Sequence, residues 1–332
     1  MPSLRTKYLG LTLKNPLVAS ASPLTKDLDG VRRLEDNNIG AVVVHSLFEE
    51  QINHEQHSLD HFLQSTNDSY AEALDYFPSD ISFHNIEADG YLEELAKMKK
   101  SLSIPIIASL NGVSSGGWIK YATKIQEAGA DALELNITYI PTSIEMEGEI
   151  VEKLYIDTIT SLREHISIPL NLKMNPYFSA PAHMAKRFVD AGVNGLTLFD
   201  NPVQVDIDLE TLMPKHVANL TSTRDKSETL RWCAILYKQL GVDISANTGI
   251  HSGLDVLKAI MSGASVASFA SVLLQKGEGE IEKMLYDINF WMQEHGYEST
   301  DQMRGSISLA HTAKPDVYER SSYVGALQSY RH

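Results

Sequence analysis

The chain of 332 residues carries a formal net charge of −15, with 43% hydrophobic and 21% charged residues. This composition is typical of a globular protein that buries a large core, and it argues against disorder. The negative charge argues against nucleic acid or anionic membranes as partners, since both would be repelled. No long apolar run occurs, and Arg5, Lys7 and Lys14 interrupt the N-terminal segment. We therefore expect a cytoplasmic protein without a signal peptide.

The one cysteine, Cys233, lies in the apolar stretch RWCAILY. A single cysteine cannot form an internal disulfide, and it excludes a multi-cysteine metal or iron–sulfur site. We interpret Cys233 as a small buried core residue rather than a catalytic one, and we expect no metal.

A recurring pattern places a glycine-containing cluster of small residues directly before a short apolar run. Glycine suits the left-handed position after a helix, and a short apolar run is typical of a buried parallel strand. The pattern occurs in EAGADALEL (127–135), DAGVNGLTL (190–198), LGVDISAN (240–247) and SGASVASF (262–269). Four further strands are predicted in LVAS (17–20), IGAVVVHS (39–46), SIPIIASL (103–110) and SIPLNLKM (167–174).

A segment with helical apolar spacing follows each predicted strand. These segments are about 26–38, 87–101, 115–128, 148–166, 179–191, 226–240, 252–262 and 276–294. Eight alternating units without a linker predict an α/β fold, a single (β/α)8 TIM barrel over about 15–294 within one domain of residues 1–332. A doubly wound open sheet is the alternative, but it usually shows a glycine-rich dinucleotide turn, which is absent here.

Three segments lie outside the repeating units. Residues 4–13 predict a hairpin that turns near Gly10 and could cap the barrel bottom. A polar insertion (51–80) follows the second strand and could arch over the top of the barrel. A C-terminal tail (295–332), which contains Tyr318, Tyr323 and Tyr330, is expected to be ordered against the barrel or a partner subunit.

Polar side chains end nearly every predicted strand. In such barrels the active site lies at the C-terminal ends of the strands, so these residues are the candidates. They are Ser20, Ser22, His45, Ser46, Asn111, Asn136, Thr138, Lys173, Asp200, Asn201, Asn247, Thr248 and Ser271. The pattern indicates a large polar ligand across the mouth of the barrel rather than one small substrate.

The last two units indicate a phosphate site. NTGIHSG (247–253) precedes a helix, and FASVLL (269–274) follows the last strand, which are the usual positions for phosphate in these barrels. Gly249 and Gly253 could also serve only a tight turn.

Lys173 ends an apolar strand, and Asn136 ends another. A buried lysine needs a partner or a lowered pKa, so Lys173 is a functional candidate. It could hold an anionic oxygen, or it could form a Schiff base with a carbonyl substrate. The amide of Asn136 could bind the edge of a heteroaromatic ring, or it could only form a turn.

Four stretches resemble the dihydroorotate dehydrogenase superfamily, which includes the pyrimidine-reducing domain of dihydropyrimidine dehydrogenase. The similarity follows chain order over about residues 1–290. It lies in YLGLTLKNPLVASASP (8–23), IPIIASLNG with GGWIKYATKIQEAGADALELNIT (104–138), the Lys-x-x-Pro motif of NLKMNPYF (171–178), and TGIHSGLDVLKAIMSGASV (248–266).

The resemblance implies FMN as the cofactor, and family roles carry over to matching positions. Ser20 and Ala21 would back the isoalloxazine ring, and Asn111 and Asn136 would contact flavin or substrate. Lys173 would lie near the flavin pyrimidine edge, where its charge stabilises the reduced ring. The phosphate would be held by Gly249, Ala270 and Ser271. The remaining strand-end candidates for cofactor binding are His45, Ser46, Asp200, Asn201 and Thr248.

Several positions depart from the family pattern. The usual cysteine or serine base after the Leu-Glu-Leu-Asn motif is replaced by the run Thr138, Tyr139, Ile140, Pro141. Tyr139 is the predicted proton-transfer residue, and it suits the role of an acid better than that of a base. His45 stands where many members carry a lysine, and Asp200 stands where they carry an asparagine.

The resulting hypothesis is an FMN-dependent CH–CH oxidoreductase of pyrimidine metabolism, acting on dihydroorotate or a related unsaturated or cyclic substrate. The alternatives are a Schiff-base barrel lyase using Lys173 and a flavin-binding barrel that has lost catalysis. We expect a homodimer with a small-molecule substrate. An iron–sulfur electron-transfer partner would have to be a separate subunit, since the chain has no cysteine cluster.

Overall fold

A computed structural model describes residues 1–52, 88–112, 119–201, 204–320 and 328 of the chain. Within these residues the strands are β1 (Thr6–Tyr8), β2 (Leu11–Leu13), β3 (Leu17–Ala19), β4 (Ala41–Phe48), β5 (Ile106–Asn111), β6 (Ala132–Asn136), β7 (Leu170–Met174), β8 (Gly195–Leu198), β9 (Gln204–Asp208), β10 (Met213–Val217), β11 (Asp243–Ala246) and β12 (Val266–Phe269).

Eight of these strands form a closed parallel barrel in the order β3-β4-β5-β6-β7-β8-β11-β12. β12 pairs with β3, which closes the barrel and leaves it without a free edge. The eight strands are the eight predicted from sequence, so the (β/α)8 prediction is confirmed. The barrel strands are mostly apolar runs because helices cover their outer faces and the barrel interior buries their inner faces.

The helices alternate with the barrel strands as predicted. They are Leu28–Asp36, Ala88–Ser101, Ile119–Glu127, Gly148–His165, Pro181–Asp190, Lys226–Leu236, Gly253–Ser262, Ser271–Lys276 and Glu280–Glu294, with short helices Thr300–Met303 and Asp316–Glu319 in the tail. The predicted helix 276–294 is preceded by a separate short helix, because Gly277 has a φ of 86°. No described helix has the length and apolarity that crossing a membrane requires.

The N-terminal hairpin of β1 and β2 caps the bottom of the barrel, as predicted. Leu9 and Gly10 form its turn with positive φ values of 54° and 75°. The backbone N–H of Leu9 donates to Asp243 Oδ2 at the start of β11, at 2.8 Å. Tyr8 and Leu9 pack in a buried cluster with the first inward-facing residues of the strands, which include Val43 and Ile107. The lower end of the barrel is thereby sealed.

The described part of the tail is ordered against the barrel helices. Backbone N–H groups of Gly305 and Ile307 donate to the carbonyls of Ile260 and Met261, each at 2.9 Å. The Tyr318 hydroxyl donates to the Ile307 carbonyl at 2.6 Å. Residues 53–80 of the predicted insertion (51–80), together with Tyr323 and Tyr330, lie outside the described residues.

The antiparallel hairpin of β9 and β10 was not predicted. It stands between β8 and the next helix, so it rises from the C-terminal end of the barrel. Its apolar side chains are exposed, including Ile207 at 64% and Leu209 at 79%. The alternation of Val205, Asp206, Ile207 and Asp208 is the period-two pattern that could have revealed it.

Candidate active site

Three polar side chains share one rung at the C-terminal ends of neighbouring strands. Asn111 of β5 pairs in register with Asn136 of β6, and Asn136 pairs with Lys173 of β7. The next strand continues the rung, since Lys173 pairs with Thr197 of β8. Side chains in register on parallel strands point to the same face, so the register brings these predicted residues together at the mouth of the barrel.

Lys173 is paired with a buried glutamate directly beneath the mouth. The Lys173 ammonium lies 3.2 Å from Glu134 Oε1, and the two side chains are 11% and 4% exposed. Glu134 Oε2 also accepts from Asn171 Nδ2 at 2.9 Å and from Thr197 Oγ1 at 3.0 Å. The carboxylate is thus held by three groups that fix it beside Lys173. The sequence pattern did not single out Glu134.

The pair keeps Lys173 charged. Burial disfavours the ammonium form, but the carboxylates of Glu134 and Asp200 outweigh burial and raise the pKa of Lys173. A Schiff-base lysine needs a free amine as its nucleophile. The environment of Lys173 therefore does not favour the lyase alternative, and it suits a fixed positive charge.

Asp200 follows β8 and faces the same cluster. Thr138 Oγ1 lies 3.5 Å from Asp200 Oδ2 and 3.3 Å from Asn136 Oδ1. Burial and the charge of Glu134 raise the pKa of Asp200, and they prevail over the lowering effects of Lys173, the Asn201 N–H and the Thr138 hydroxyl. Asn201 itself is exposed.

The loop after Asn136 directs alternate side chains to opposite sides. Thr138 points to Asn136 and Asp200, whereas the partly buried ring of Tyr139 packs against the apolar core between barrel and helices. The hydroxyl that the described structure brings to the polar cluster is therefore that of Thr138. Thr138 was recognised in the sequence as a strand-end polar residue but was not assigned a role. Tyr139 as proton donor stays a prediction.

A second group of hydrogen bonds links the first and seventh barrel strands. Ser20 Oγ donates to Asn247 Oδ1 at 3.0 Å, and Asn247 Nδ2 donates to the carbonyl of Phe199 at 2.8 Å. Thr248 Oγ1 donates to the same carbonyl at 3.0 Å. Ala21 follows Ser20 and is partly buried. These contacts place Ser20 and Thr248 on the rim opposite Asn111 and Asn136.

On β4 the two candidates differ in their surroundings. Ser46 Oγ lies 2.8 Å from Ser109 Oγ of β5 and faces into the barrel. The His45 ring instead stands edge-on to Tyr91 of an outer helix, with ring centroids 5.1 Å apart. Burial lowers the pKa of His45. Its buried Nδ1 has no hydrogen-bond partner in the described part of the chain.

The turn after β11 forms a narrow backbone cradle. Thr248 and Gly249 both have positive φ, 73° and 77°. A Cβ on Gly249 would lie 2.2 Å from the backbone nitrogen of Lys226, so no side chain fits there. Thr221 joins the two predicted phosphate loops, because its N–H donates to Ser271 Oγ at 3.0 Å and its hydroxyl lies 3.2 Å from His251 Nε2.

Segment 221–226 is a part of this cradle that sequence reasoning missed. Ala270 and Ser271 lie at the start of the short helix beyond β12, beside this segment. The clustering of Thr221, Ser222 and Thr223 with Lys226 before a helix is the signal that could have pointed to it.

A buried ion pair fastens the cradle to the following helix. Lys226 Nζ lies 2.9 Å from Asp255 Oδ1, with side chains 16% and 5% exposed. Asp255 Oδ2 accepts from the Ser252 hydroxyl and from the His251 N–H, at 2.9 and 3.2 Å. Burial favours the neutral acid, but Lys226, Ser252 and His251 together lower the pKa of Asp255.

We expect D255N to lower the free energy of unfolding at neutral pH by about 2 kcal/mol, because Lys226 and Ser252 lose a charged partner. A lowered native pKa stabilises the fold above the unfolded pKa, so the difference from wild type should shrink as pH falls below about 4. Urea unfolding across pH measures it. D157N removes an exposed pair with Lys153 and should change stability by less than about 0.5 kcal/mol. A pH-independent loss in D255N would contradict the explanation.

Cys233 is fully buried in the core, and burial raises the pKa of its thiol to about 12. A thiol in this state is not a nucleophile at neutral pH, which agrees with its interpretation as a core residue.

A closed (β/α)8 barrel has a sealed lower end here, and polar side chains and a glycine turn lie at its upper end. This arrangement is typical of barrel enzymes, whose active sites lie at the C-terminal ends of the strands. Residues 3–292 match the family model described as dihydroorotate dehydrogenase. The chain therefore belongs to the dihydroorotate dehydrogenase family, and it is an oxidoreductase of that type.

Curated relatives support this assignment over nearly their whole length. The chain is 24% identical over 313 residues to the catalytic subunit of dihydroorotate dehydrogenase B (NAD(+)) of Thermoplasma acidophilum, covering 92% of this chain and 99% of the relative. It is 25% identical over 299 residues to the protein of the same name from Methanocaldococcus jannaschii, covering 88% and 94%. It is also 25% identical over 330 residues to dihydroorotate dehydrogenase (fumarate) of Saccharomyces mikatae, covering 92% and 98%.

Proposed function

We propose that the protein binds FMN across the barrel mouth and oxidises or reduces a carbon–carbon bond of a cyclic substrate, dihydroorotate or a related compound. The observation that carries this proposal is the shared rung of Asn111, Asn136 and Lys173. It supplies two amides and one fixed cation on three neighbouring strands. A flavin pyrimidine edge presents carbonyl oxygens and N–H groups that match this donor set.

The cradle after β11 fits the phosphate of FMN. A phosphate requires backbone N–H groups at close range, and a side chain at Gly249 would meet the Lys226 backbone at 2.2 Å. The resemblance implies that Gly249, Ala270 and Ser271 would hold this phosphate, and we add Thr221, whose N–H donates to Ser271 Oγ. Ser20 and Lys173 would then be among the residues that hold the isoalloxazine ring.

FMN supplies the two-electron redox chemistry when bound, and the side chains of the mouth position the reactants. Lys173 holds a permanent positive charge because Glu134 is fixed against it. That charge stabilises negative charge that develops on the ring edge. Asn111 and Asn136 orient the ring or the substrate by hydrogen bonds. The sealed lower end confines access to the upper rim.

The visible spectrum of the purified protein tests this proposal directly. We expect yellow protein with the absorption bands of an oxidised flavin, in a ratio of one FMN per chain after denaturation and release. Protein that is colourless, and that stays colourless after FMN is added and the excess removed, would contradict the proposal. Flavin that binds but is reduced only by dithionite would instead support a flavin-binding barrel without catalysis.

Two neighbouring substitutions separate the candidate proton-transfer residues. The Thr138 hydroxyl contacts Asn136 and Asp200, whereas the Tyr139 ring packs in the core. We expect T138V to slow substrate-dependent turnover about 100-fold, since a positioned proton-transfer group contributes about that much. We expect Y139F to retain turnover within about threefold. The measurement is the turnover rate at saturating substrate in both variants.

If Y139F lowers the turnover rate strongly and T138V leaves it near the wild-type rate, the expectation is contradicted and Tyr139 is supported as the acid. The melting temperature of each variant provides the control for misfolding.

The oligomeric state and the electron partner stay predictions. We propose a homodimer, and the exposed apolar side chains of the hairpin β9–β10 agree with a contact surface of some kind. Two of the relatives named above are catalytic subunits by name. A separate electron-transfer subunit for this chain is consistent with its single cysteine.

A further inference from the structure

The charged groups at the barrel mouth do not balance. Glu134 and Asp200 are acidic, and Lys173 is the one cation that acts on both among the described residues. Lys173 lies 3.2 Å from Glu134 and is 9% exposed, so its positive charge already compensates the negative charge of a buried partner. When all three groups are ionised, the cluster carries one net negative charge.

No other charge offsets this excess within the described residues. The groups whose charges act on Asp200 are Lys173 and Glu134, and its hydrogen-bond donors are the neutral Thr138 hydroxyl and the Asn201 N–H. Tyr155, on the neighbouring helix Gly148–His165, directs its hydroxyl to the Ile137 carbonyl. Burial and, to a smaller extent, Asp200 raise the pKa of Tyr155, so this phenol is neutral as well.

An ionised aspartate differs from an asparagine in what it can bind. An asparagine both donates and accepts, whereas a carboxylate only accepts hydrogen bonds. A ligand group that meets Asp200 must therefore donate a hydrogen bond or carry positive charge. A ligand carboxylate in the same place would be a third anion near one lysine, and like charges within about 4–6 Å disfavour each other strongly.

We propose that Asp200 is a specificity-determining residue that excludes carboxylate-bearing substrates and selects a neutral ring whose N–H group donates to it. This inference rests on the proposed function, since it concerns the substrate of the same mouth. It narrows the substrate class from dihydroorotate or related compounds to uncharged ones, such as cyclic amides and imides without an acid group.

The exclusion of carboxylate-bearing ligands should weaken as the pH falls. Protonation of Asp200 removes one of the two negative charges and turns the side chain into a donor as well as an acceptor. The environment already raises the pKa of Asp200, so this change falls nearer to neutral pH than for a free aspartate. The affinity for an anionic ligand should therefore rise as pH falls, whereas the affinity for its neutral analogue should change little.

The test compares orotate with orotamide, its neutral carboxamide, on the FMN-loaded protein. The dissociation constants come from the change in flavin absorbance on titration at about pH 8.5 and about pH 6, where free aspartate is ionised throughout. For wild type at the higher pH we expect orotamide to bind at least about tenfold more tightly than orotate, a difference of about 1.4 kcal/mol. The ratio of the orotate dissociation constant to the orotamide dissociation constant should be smaller at the lower pH.

D200N is the direct variant, and D157N is the matched control that makes the same chemical change at an exposed site. D200N should reduce the ratio to within about threefold at both pH values, whereas D157N should leave the wild-type ratio unchanged. Wild-type protein that binds orotate as tightly as orotamide at about pH 8.5 would overturn the inference. An unchanged ratio in D200N would overturn it too.

Two arrangements keep the test decisive. If D200N does not fold, the wild-type dissociation constants at about pH 8.5 decide alone, because orotate bound as tightly as orotamide contradicts the role of Asp200. If the protein does not retain FMN, the proposed function fails separately, and calorimetry with the same two ligands still measures the preference. If calorimetry shows binding of neither ligand, that result also contradicts the inference about Asp200. If the protein retains FMN but prefers orotate, the inference about Asp200 is contradicted and the proposed function is not.

Discussion

K173M is expected to destabilise the protein by about 3–5 kcal/mol, because it leaves the Glu134 carboxylate buried without its cation. Asn171 and Thr197 still donate to Glu134, but neutral donors do not replace an ammonium at 3.2 Å. Turnover should fall by about 100-fold or more, since a fixed charge at the reacting ring is lost. Urea unfolding and the turnover rate measure the two effects.

The double variant K173M/E134Q separates stability from chemistry. Removing both charges should recover most of the lost stability, because a buried pair replaced on both sides is often close to neutral. Turnover of the double variant should stay low. The midpoint potential of the bound flavin should be lower than in wild type in both variants. Recovery of turnover in the double variant would show that Lys173 acts only through folding, and it would contradict its role at the ring.

G249A should have the second large effect, on flavin retention. Its Cβ would lie 2.2 Å from the Lys226 nitrogen and 2.8 Å from the Asp225 carbonyl carbon, so the cradle must open. The φ of 77° adds a left-handed strain of about 1–2 kcal/mol for alanine. We expect FMN content to fall at least about tenfold, measured as the ratio of flavin to protein absorbance.

G148A is the matched control for this substitution. Gly148 begins the helix Gly148–His165, and a Cβ at this position would meet no described atom within 4 Å. Alanine there should keep FMN content at the wild-type level and change stability by less than about 1 kcal/mol. Full FMN retention in G249A would show that the cradle does not hold the phosphate.

The scaffold was predictable because its signals are local. The glycine of each helix-to-strand turn and the apolar run after it, as in Gly129 to Leu135, are dictated by backbone conformation and burial. Four of the eight barrel strands were predicted in this way, and the other four were predicted from their short apolar runs. The hairpin β9–β10 was not predicted because its period-two alternation is short, and its apolar residues are exposed instead of forming part of the core.

The functional residues at the barrel mouth were predictable only in part, because their chemistry depends on contacts between side chains of different strands. Lys173 and Asn136 were identified from their strand-end positions, and register explains why they meet. Glu134, which fixes the charge of Lys173, sits in an apolar run and resembles any outward-facing polar residue until the barrel closes. Likewise, the alternation after Asn136 brings the Thr138 hydroxyl, and not the Tyr139 ring, to the polar cluster, and sequence alone does not give the phase of that loop.

Anaerobic reduction of the bound flavin tests the central claim most directly. The FMN-loaded protein is mixed with dihydroorotate, its carboxamide and dihydrouracil in turn, and the flavin absorption bands are followed, with dithionite as the control reductant. We predict that a neutral dihydropyrimidine bleaches the bands at a rate that depends on its concentration. Bands that persist with every donor and bleach only with dithionite would contradict the assignment as a CH–CH oxidoreductase acting on such rings.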